Sequence, residues 1–385
     1  MRVAVNAEQL LYRSPGGVGR YTAQLLTVLP RLFPDDEVVP FTARHAHGRV
    51  GAAFSEAGVD PETARRAVAL PLPRPLLYQG WLEVGWPPLP GLRGADLVHA
   101  PSVAVPPRPR VPLVVTVHDA GVELFPDSYP ARGRRFHRQG LAAAARRADL
   151  VLTVSAAAAE EIARHSSIPS DRLRVVPNGV DPLTIEPARR HQILAARGLA
   201  DRPFVLWVGS LEPRKGVGTL VSAMARLRRR DGVAGVDTPQ LVLVGYPGWL
   251  SDDLIESADR AGLGPSLHQL GLVDEEELWA LYAGASVFAF PSRHEGFGLP
   301  VLEAMSQGTP VVAADIPALR EVAGGAARLV PPGDVGRWAD ALADLLGDET
   351  QRRQLGAAGE ERARRFGVAA TIRGIRAVYR ELLGG

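Results

Sequence analysis

Strand-like apolar runs alternate with helix-period segments along almost the whole chain, and that alternation leaves few architectures open. Parallel strands need long crossovers, and helices are what fill them, so the pattern predicts βαβ units and parallel sheets. In the first half, strands are expected at Arg2 to Asn6, Val38 to Thr42, Asp96 to His99, Leu113 to Val117, Asp149 to Val154 and Leu173 to Val176. Helices are expected at Val18 to Phe33, Ala131 to Ala148 and Ala156 to His165, the last with Ser155 placed to cap it. A polar, Pro-containing stretch near Asp181 to Pro203 then precedes a second series: Phe204 to Val208, Leu241 to Val244, Leu267 to Leu270, Val287 to Phe290, Pro310 to Ala313 and Ala327 to Leu329. At 385 residues the chain exceeds what one core usually serves. The reading is α/β: two Rossmann-like doubly wound domains in series, residues 1–187 and 188–367. Apolar residues at helical spacing from Thr371 to Leu383 add a final helix with one buried face, within residues 368–385.

Composition removes several function classes. There is no cysteine, which rules out disulfides, thiolate metal sites and cysteine nucleophiles and suits a reducing compartment. A net charge of +2 gives no reason to expect nucleic acid. The opening Met-Arg-Val-Ala-Val-Asn reads as a strand and not as a signal peptide, and no stretch approaches the roughly 20 apolar residues of a membrane span. A cytoplasmic protein is the expectation. Every basic side chain apart from the histidines is arginine except Lys215, the single lysine of the chain. Against so strong an arginine habit, Lys215 marks a position where a compact ammonium is wanted.

Ligands of open α/β sheets bind beyond the carboxyl ends of the strands, so the cleft between two such domains is the expected site. Val287-Phe-Ala-Phe-Pro-Ser-Arg-His-Glu-Gly-Phe-Gly-Leu-Pro-Val-Leu-Glu303 reads as strand, glycine turn and helix, with Pro300 in the first helical turn. Backbone N–H groups at Gly296, Phe297, Gly298 and Leu299 are then aimed at an anion at the helix N-terminus. Glu295 and Glu303 supply carboxylates that suit the hydroxyls of a sugar and of a ribose. Taken singly, each is as well read as a loop residue or a dipole-stabilised glutamate; the register of all the elements together favours a ligand. Trp207-Val-Gly-Ser-Leu-Glu-Pro-Arg-Lys-Gly216 repeats the arrangement and offers Arg214 and Lys215 as two fixed cations for a diphosphate, taking the part a metal plays elsewhere. In the first half, Pro15-Gly-Gly-Val-Gly19 is a weak phosphate-loop candidate, and His118-Asp119 follows another strand.

These segments resemble the family 4 retaining glycosyltransferases, whose GT-B fold pairs two Rossmann-like domains. The resemblance rests most specifically on the two glutamates of Glu295-Gly-Phe-Gly-Leu-Pro-Val-Leu-Glu303, followed by Gly-Thr-Pro-Val-Val312 and Arg320-Glu-Val322. It implies that Glu295 holds a donor-sugar hydroxyl, Gly296 to Leu299 face sugar and phosphate, Glu303 binds the ribose, and Arg214 and Lys215 bind the diphosphate. It further implies a phosphate contact from the Gly17 N–H, a nucleobase contact at Val273, a sugar or transition-state contact at His118, and a tail helix that returns to the first domain. No cofactor and no metal are implied, only a GDP-, UDP- or dTDP-linked sugar as co-substrate and a glycan, lipid-linked or small-molecule acceptor.

His118-Asp119 with Phe125-Pro126 and Tyr129, and later Tyr246-Pro-Gly-Trp249, is similar to the mannosyl- and rhamnosyltransferase branch that builds surface polysaccharides, which makes GDP-mannose the first expectation for the donor. The stretch Arg132-Gly-Arg-Arg-Phe-His-Arg138 reads first as a solvated face and second as a peripheral membrane or polyanion contact. The competing assignments are a sugar-nucleotide epimerase or glycoside phosphorylase on the same scaffold, and a non-catalytic nucleotide-binding subunit.

Overall fold

The computed structural model describes residues 1–13, 15–89, 92, 94–200, 202–230, 239–246, 256 and 258–384. The chain divides into two compact units, Met1–Gly179 with Val368–Gly385, and Val180–Gly367. The 180–187 stretch, assigned above to the first domain, therefore belongs to the second. Its backbone is tied there: Val180 N–H donates to Phe366 O at 2.8 Å, and Gln307 Nε2 donates to Leu183 O at 3.2 Å.

The first unit is built on seven parallel strands: β1 (Arg2–Asn6), β2 (Glu37–Thr42), β3 (Val68–Ala69), β4 (Leu97–Ala100), β5 (Leu113–Thr116), β6 (Leu150–Thr153) and β7 (Leu173–Val175), in the order β3-β2-β1-β4-β5-β6-β7. The second has six, β8 (Phe204–Val208), β9 (Gln240–Val244), β10 (Leu267–Gly271), β11 (Val287–Phe290), β12 (Val311–Ala314) and β13 (Arg328–Val330), in the order β10-β9-β8-β11-β12-β13. The central strands are buried along their whole length, which is why they read as unbroken Val/Leu/Phe runs and not as alternating ones. Only β3 has no counterpart in the sequence reading, because two residues carry no periodicity.

In each sheet the chain winds outward from its first strand, then returns to pair a later strand on that strand's other side. The order thus reverses between β1 and β4 and between β8 and β11. Neighbouring loops diverge at such a switch point and leave a crevice at the carboxyl end of the sheet.

The final helix, Val368–Leu383, packs in the first unit against Gly16–Leu32, with Ile372, Ile375 and Tyr379 joining Tyr21, Leu25 and Leu29 in one core. Its five buried apolar side chains contribute on the order of 10 kcal/mol of gross burial before conformational entropy. Polar ties fix its register: Arg376 Nε donates to Asp36 Oδ2 at 2.5 Å, Thr371 Oγ1 to Pro177 O at 2.8 Å, and the Tyr379 hydroxyl lies 2.6 Å from His99 Nδ1.

Candidate functional site

In the second unit, the loops that leave β8 and β11 at the switch point carry most of the residues singled out above. After β8 the chain makes a short 3-10 turn, Pro213–Lys215, and Gly216 at φ +69° turns it into the helix Val217–Arg230. A side chain at 216 would strike the Pro291 carbonyl, so glycine is needed for the two loops to touch. They are stitched by Arg293 N–H to Arg214 O at 2.7 Å, and Ser292 Oγ donates to His294 O at 3.0 Å.

This stitching brings Lys215 Nζ to 2.6 Å from Glu295 Oε1, with the two side chains only 11% and 10% exposed. Nζ also lies 5.5 Å from the Phe290 ring centroid. Burial lowers the Lys215 pKa, and Arg214 adds to that, while Glu295 opposes it. Burial alone would raise the Glu295 pKa, but Lys215 and Arg214 outweigh it and hold the carboxyl below its ordinary range. The 2.6 Å contact joins the two as an ion pair, ammonium to carboxylate. An ammonium has three N–H donors, so Lys215 retains capacity for phosphate oxygens beyond its bond to Glu295. Arg214 Nε donates to Glu212 Oε2 at 3.0 Å, and Glu212 Oε1 accepts from Ser210 Oγ at 2.7 Å. Each cation is thus oriented by its own carboxylate. Glu212 was not among the sequence candidates; its one signal is its place two residues before Arg214.

Past β11, Gly298 takes φ +108° and starts the helix Leu299–Ser306, with Pro300 in the first turn. The Gly298 carbonyl accepts from Val301 and Leu302, so the N–H groups of Gly298 and Leu299 precede the helix's own ladder. Phe297 is buried edge-to-face on Phe366 at 5.9 Å, so its side chain is core and only its backbone is available to a ligand. Gly296 is buried beside it. Glu303, one turn into the helix, is 2% exposed and accepts from the Tyr282 hydroxyl at 2.7 Å. A glutamate stabilised merely by the helix dipole would be solvated; this one is held by a buried phenol. Tyr282 left no sequence signal, because it reaches Glu303 from a different helix, Glu275–Gly284. Val273 is half-buried in the turn between β10 and that helix, which Asp274 caps through Glu277 N–H at 2.8 Å. Of the segment beginning at Tyr246, Pro247 to Trp249 lie outside the described residues.

In the first unit, Gly17 is exposed in the first turn of the helix that follows β1. His118 follows β5 and donates from Nε2 to Pro101 O at 3.0 Å, with Tyr21 edge-on at 5.2 Å. A carbonyl partner requires the proton on Nε2 and leaves Nδ1 an acceptor. Burial lowers the His118 pKa against the opposing pull of Pro101 O and Asp119, so the ring is neutral. Behind it runs a buried polar chain: Tyr21 hydroxyl to Thr116 Oγ1 at 3.0 Å, Thr116 Oγ1 to His99 Nε2 at 2.7 Å, and His99 Nδ1 to Tyr379.

The sequence matches Glycosyltransferase Family 4 over residues 15–182 and Glycosyl transferases group 1 over residues 191–362, one on each unit. The chain belongs to glycosyltransferase family 4. Among similar proteins, O-antigen chain mannosyltransferase B of Escherichia coli is 29% identical over 375 residues, covering 95% of this chain and 96% of that one. A D-inositol 3-phosphate glycosyltransferase of Corynebacterium glutamicum is 31% identical over 288 residues, covering 71% of this chain and 68% of that one. Sucrose-phosphate synthase from Thermosynechococcus elongatus superimposes with a TM-score of 0.77 at 24% identity, covering 100% of this chain and 99% of that one. The fold of this glycosyltransferase is GT-B. Among its described residues no helix is long and apolar enough to cross a membrane.

Proposed function

We propose that this glycosyltransferase moves mannose from GDP-mannose to a glycan, lipid-linked or small-molecule acceptor, with retention of the anomeric configuration and without a metal ion. The observation that carries the reading is the Lys215–Glu295 pair, bonded at 2.6 Å between two loops at the carboxyl end of the second sheet. It joins a hydroxyl-accepting carboxylate to a cation suited to a phosphate. In this reading Glu295 accepts from a donor-sugar hydroxyl, Glu303 from the ribose, and the Gly296 to Leu299 backbone faces sugar and phosphate. Phe297 contributes only its backbone, and Val273 meets the base. Arg214 and Lys215 stabilise the charge that builds on the diphosphate as the bond to the anomeric carbon breaks, the task a divalent ion performs in other enzymes. The acceptor oxygen bonds to that carbon on the face the phosphate leaves, and the acceptor's proton passes to the departing phosphate oxygen. His118, through Nδ1, accepts from a hydroxyl of the donor sugar, and Gly17 offers its N–H to phosphate. Mannose is favoured because a relative matched along almost its full length is a mannosyltransferase.

Thermal melting of the purified chain with GDP, UDP and dTDP and their sugars tests the donor. GDP-mannose is expected to give the largest stabilisation, with transfer unchanged by EDTA. A larger response to a UDP- or dTDP-sugar refutes the donor assignment, and loss of transfer in EDTA refutes the metal-free step.

A further inference from the structure

The core of the first unit holds four polar side chains that packing alone does not call for. Tyr21, His99, Thr116 and Tyr379 are at most 3% exposed and come from four elements: the helix Gly16–Leu32, β4, β5 and the final helix. Apolar residues of similar shape would fill the same space without the cost of burying hydroxyls and an imidazole. The four instead satisfy one another in single file. The Tyr379 hydroxyl lies 2.6 Å from His99 Nδ1, His99 Nε2 lies 2.7 Å from Thr116 Oγ1, and Thr116 Oγ1 lies 3.0 Å from the Tyr21 hydroxyl. Burial lowers the His99 pKa from 6.5 to about 3, and His118 adds to that, so the ring is neutral. A neutral imidazole has one donor and one acceptor nitrogen, and here a hydroxyl engages each. The ring therefore cannot turn or change tautomer unless both hydroxyls reorient with it.

The file ends against His118. The Tyr21 ring stands perpendicular to the His118 ring with centroids 5.2 Å apart, and its hydroxyl, tied to Thr116, fixes where that ring stands. The other constraint on His118 is Pro101 O, which accepts from Nε2 at 3.0 Å. The loop that carries Pro101 is itself held, because Gly140 packs so closely on it that a Cβ there would lie 2.4 Å from Val103 O. His118 is thus set by a fixed carbonyl at one nitrogen and by a fixed ring beside it.

We propose that Tyr21, Thr116, His99 and Tyr379 are positioning residues for His118: they hold its ring so that Nδ1 meets the donor sugar in one orientation, and through Tyr379 the final helix takes part in transfer. The proposal rests on the role given to His118 above. All four are buried, so they act on the rate through His118 and leave nucleotide binding alone. A network that served stability only would lower the melting temperature when cut and leave the rate of the folded enzyme as it was. A positioning network changes kcat, because misplacing a group that meets the transition state raises the barrier without weakening the binding of the nucleotide.

Transfer kinetics of full-length variants, read beside nitrogen NMR of histidine-labelled protein, test it. Thr116→Val exchanges the hydroxyl for a methyl of the same shape, whereas Thr116→Ser keeps the hydroxyl and gives up a buried methyl. The valine variant should lose about tenfold in kcat with donor KM within about twofold of wild type. The serine variant should keep most of kcat although the lost methyl lowers its stability. Tyr379→Phe, which cuts the far end of the file, should lower kcat about threefold. Nucleoside diphosphate should stabilise every variant as it does the wild type. The ring-nitrogen signals of His118 should move in Thr116→Val and Tyr379→Phe and stay in place in Thr116→Ser. Wild-type kcat in Thr116→Val, unmoved His118 signals, or a kcat that follows melting temperature across the series overturns the proposal. His118→Ala separates this from the reading beneath it. Wild-type transfer by that variant refutes the role of His118 itself, whereas lost transfer there beside full transfer in Thr116→Val refutes the positioning alone.

Discussion

Replacing Glu295 by alanine separates stability from function at the heart of the proposed donor site. In the wild type, a 2.6 Å ion pair with about 10% of each side chain exposed holds Lys215 charged in a poorly hydrated place. Removing the carboxylate strands that ammonium, and breaking one side of a buried pair costs about 3–5 kcal/mol. For a unit of this size that lowers its melting transition by about 10 °C. The pH dependence is fixed by sign. Burial already lowers the Lys215 pKa from 10.5, and without Glu295 it falls further. The unfolded chain then binds more protons at position 215 than the folded one, so the deficit of Glu295→Ala shrinks as pH rises above neutrality. The double variant Glu295→Ala, Lys215→Met should recover most of the lost stability and none of the transfer activity. Calorimetry at several pH values and a transfer assay read both. Transfer by the single variant should fall about a hundredfold or more with nucleotide affinity largely retained. A Glu295→Ala protein that melts like wild type, or that melts lower but recovers nothing in the double variant, refutes the ion-pair reasoning. Full transfer activity refutes the site.

Three further outcomes are expected. Tyr282→Phe removes the hydroxyl that donates to buried Glu303, so stability should fall by about 2 kcal/mol, and nucleoside diphosphate should lose more affinity than inorganic pyrophosphate; equal losses in titration calorimetry count against a ribose contact. Gly298→Ala forces φ +108° on a residue with a Cβ and drives it into Leu319, at a cost of about 1–3 kcal/mol, with donor binding weakened; a variant that melts and binds donor like wild type contradicts the helix-start geometry. His99 is fully buried with its pKa lowered from 6.5 to about 3, so it stabilises the fold above 6.5 and that contribution is lost as pH falls toward about 3, on the order of 5 kcal/mol. Urea unfolding of His99→Gln should show a shallower acid-side decline than wild type; parallel curves rule the group out.

The fold and the backbone of the candidate site were legible in the sequence because both rest on local patterns. Buried parallel strands are written as apolar runs, the intervening helices as 3.6-residue periodicity, and Gly298-Leu-Pro300 as a helix start. Glu295, Lys215 and the final helix followed from the same one-dimensional signals. The tertiary structure alone supplied the pairings. Glu295 meets Lys215 across 80 residues, Tyr282 reaches Glu303 across 21, and His99 meets Tyr379 across 280. The domain boundary moved to residue 180 because a backbone bond to Phe366, far along the chain, decides where that segment belongs. Periodicity reports how each residue faces its own element, so it selects the side chains that look inward or toward a ligand. Which charge neutralises which depends on strand order and loop closure, and these appear only when the sheets are assembled.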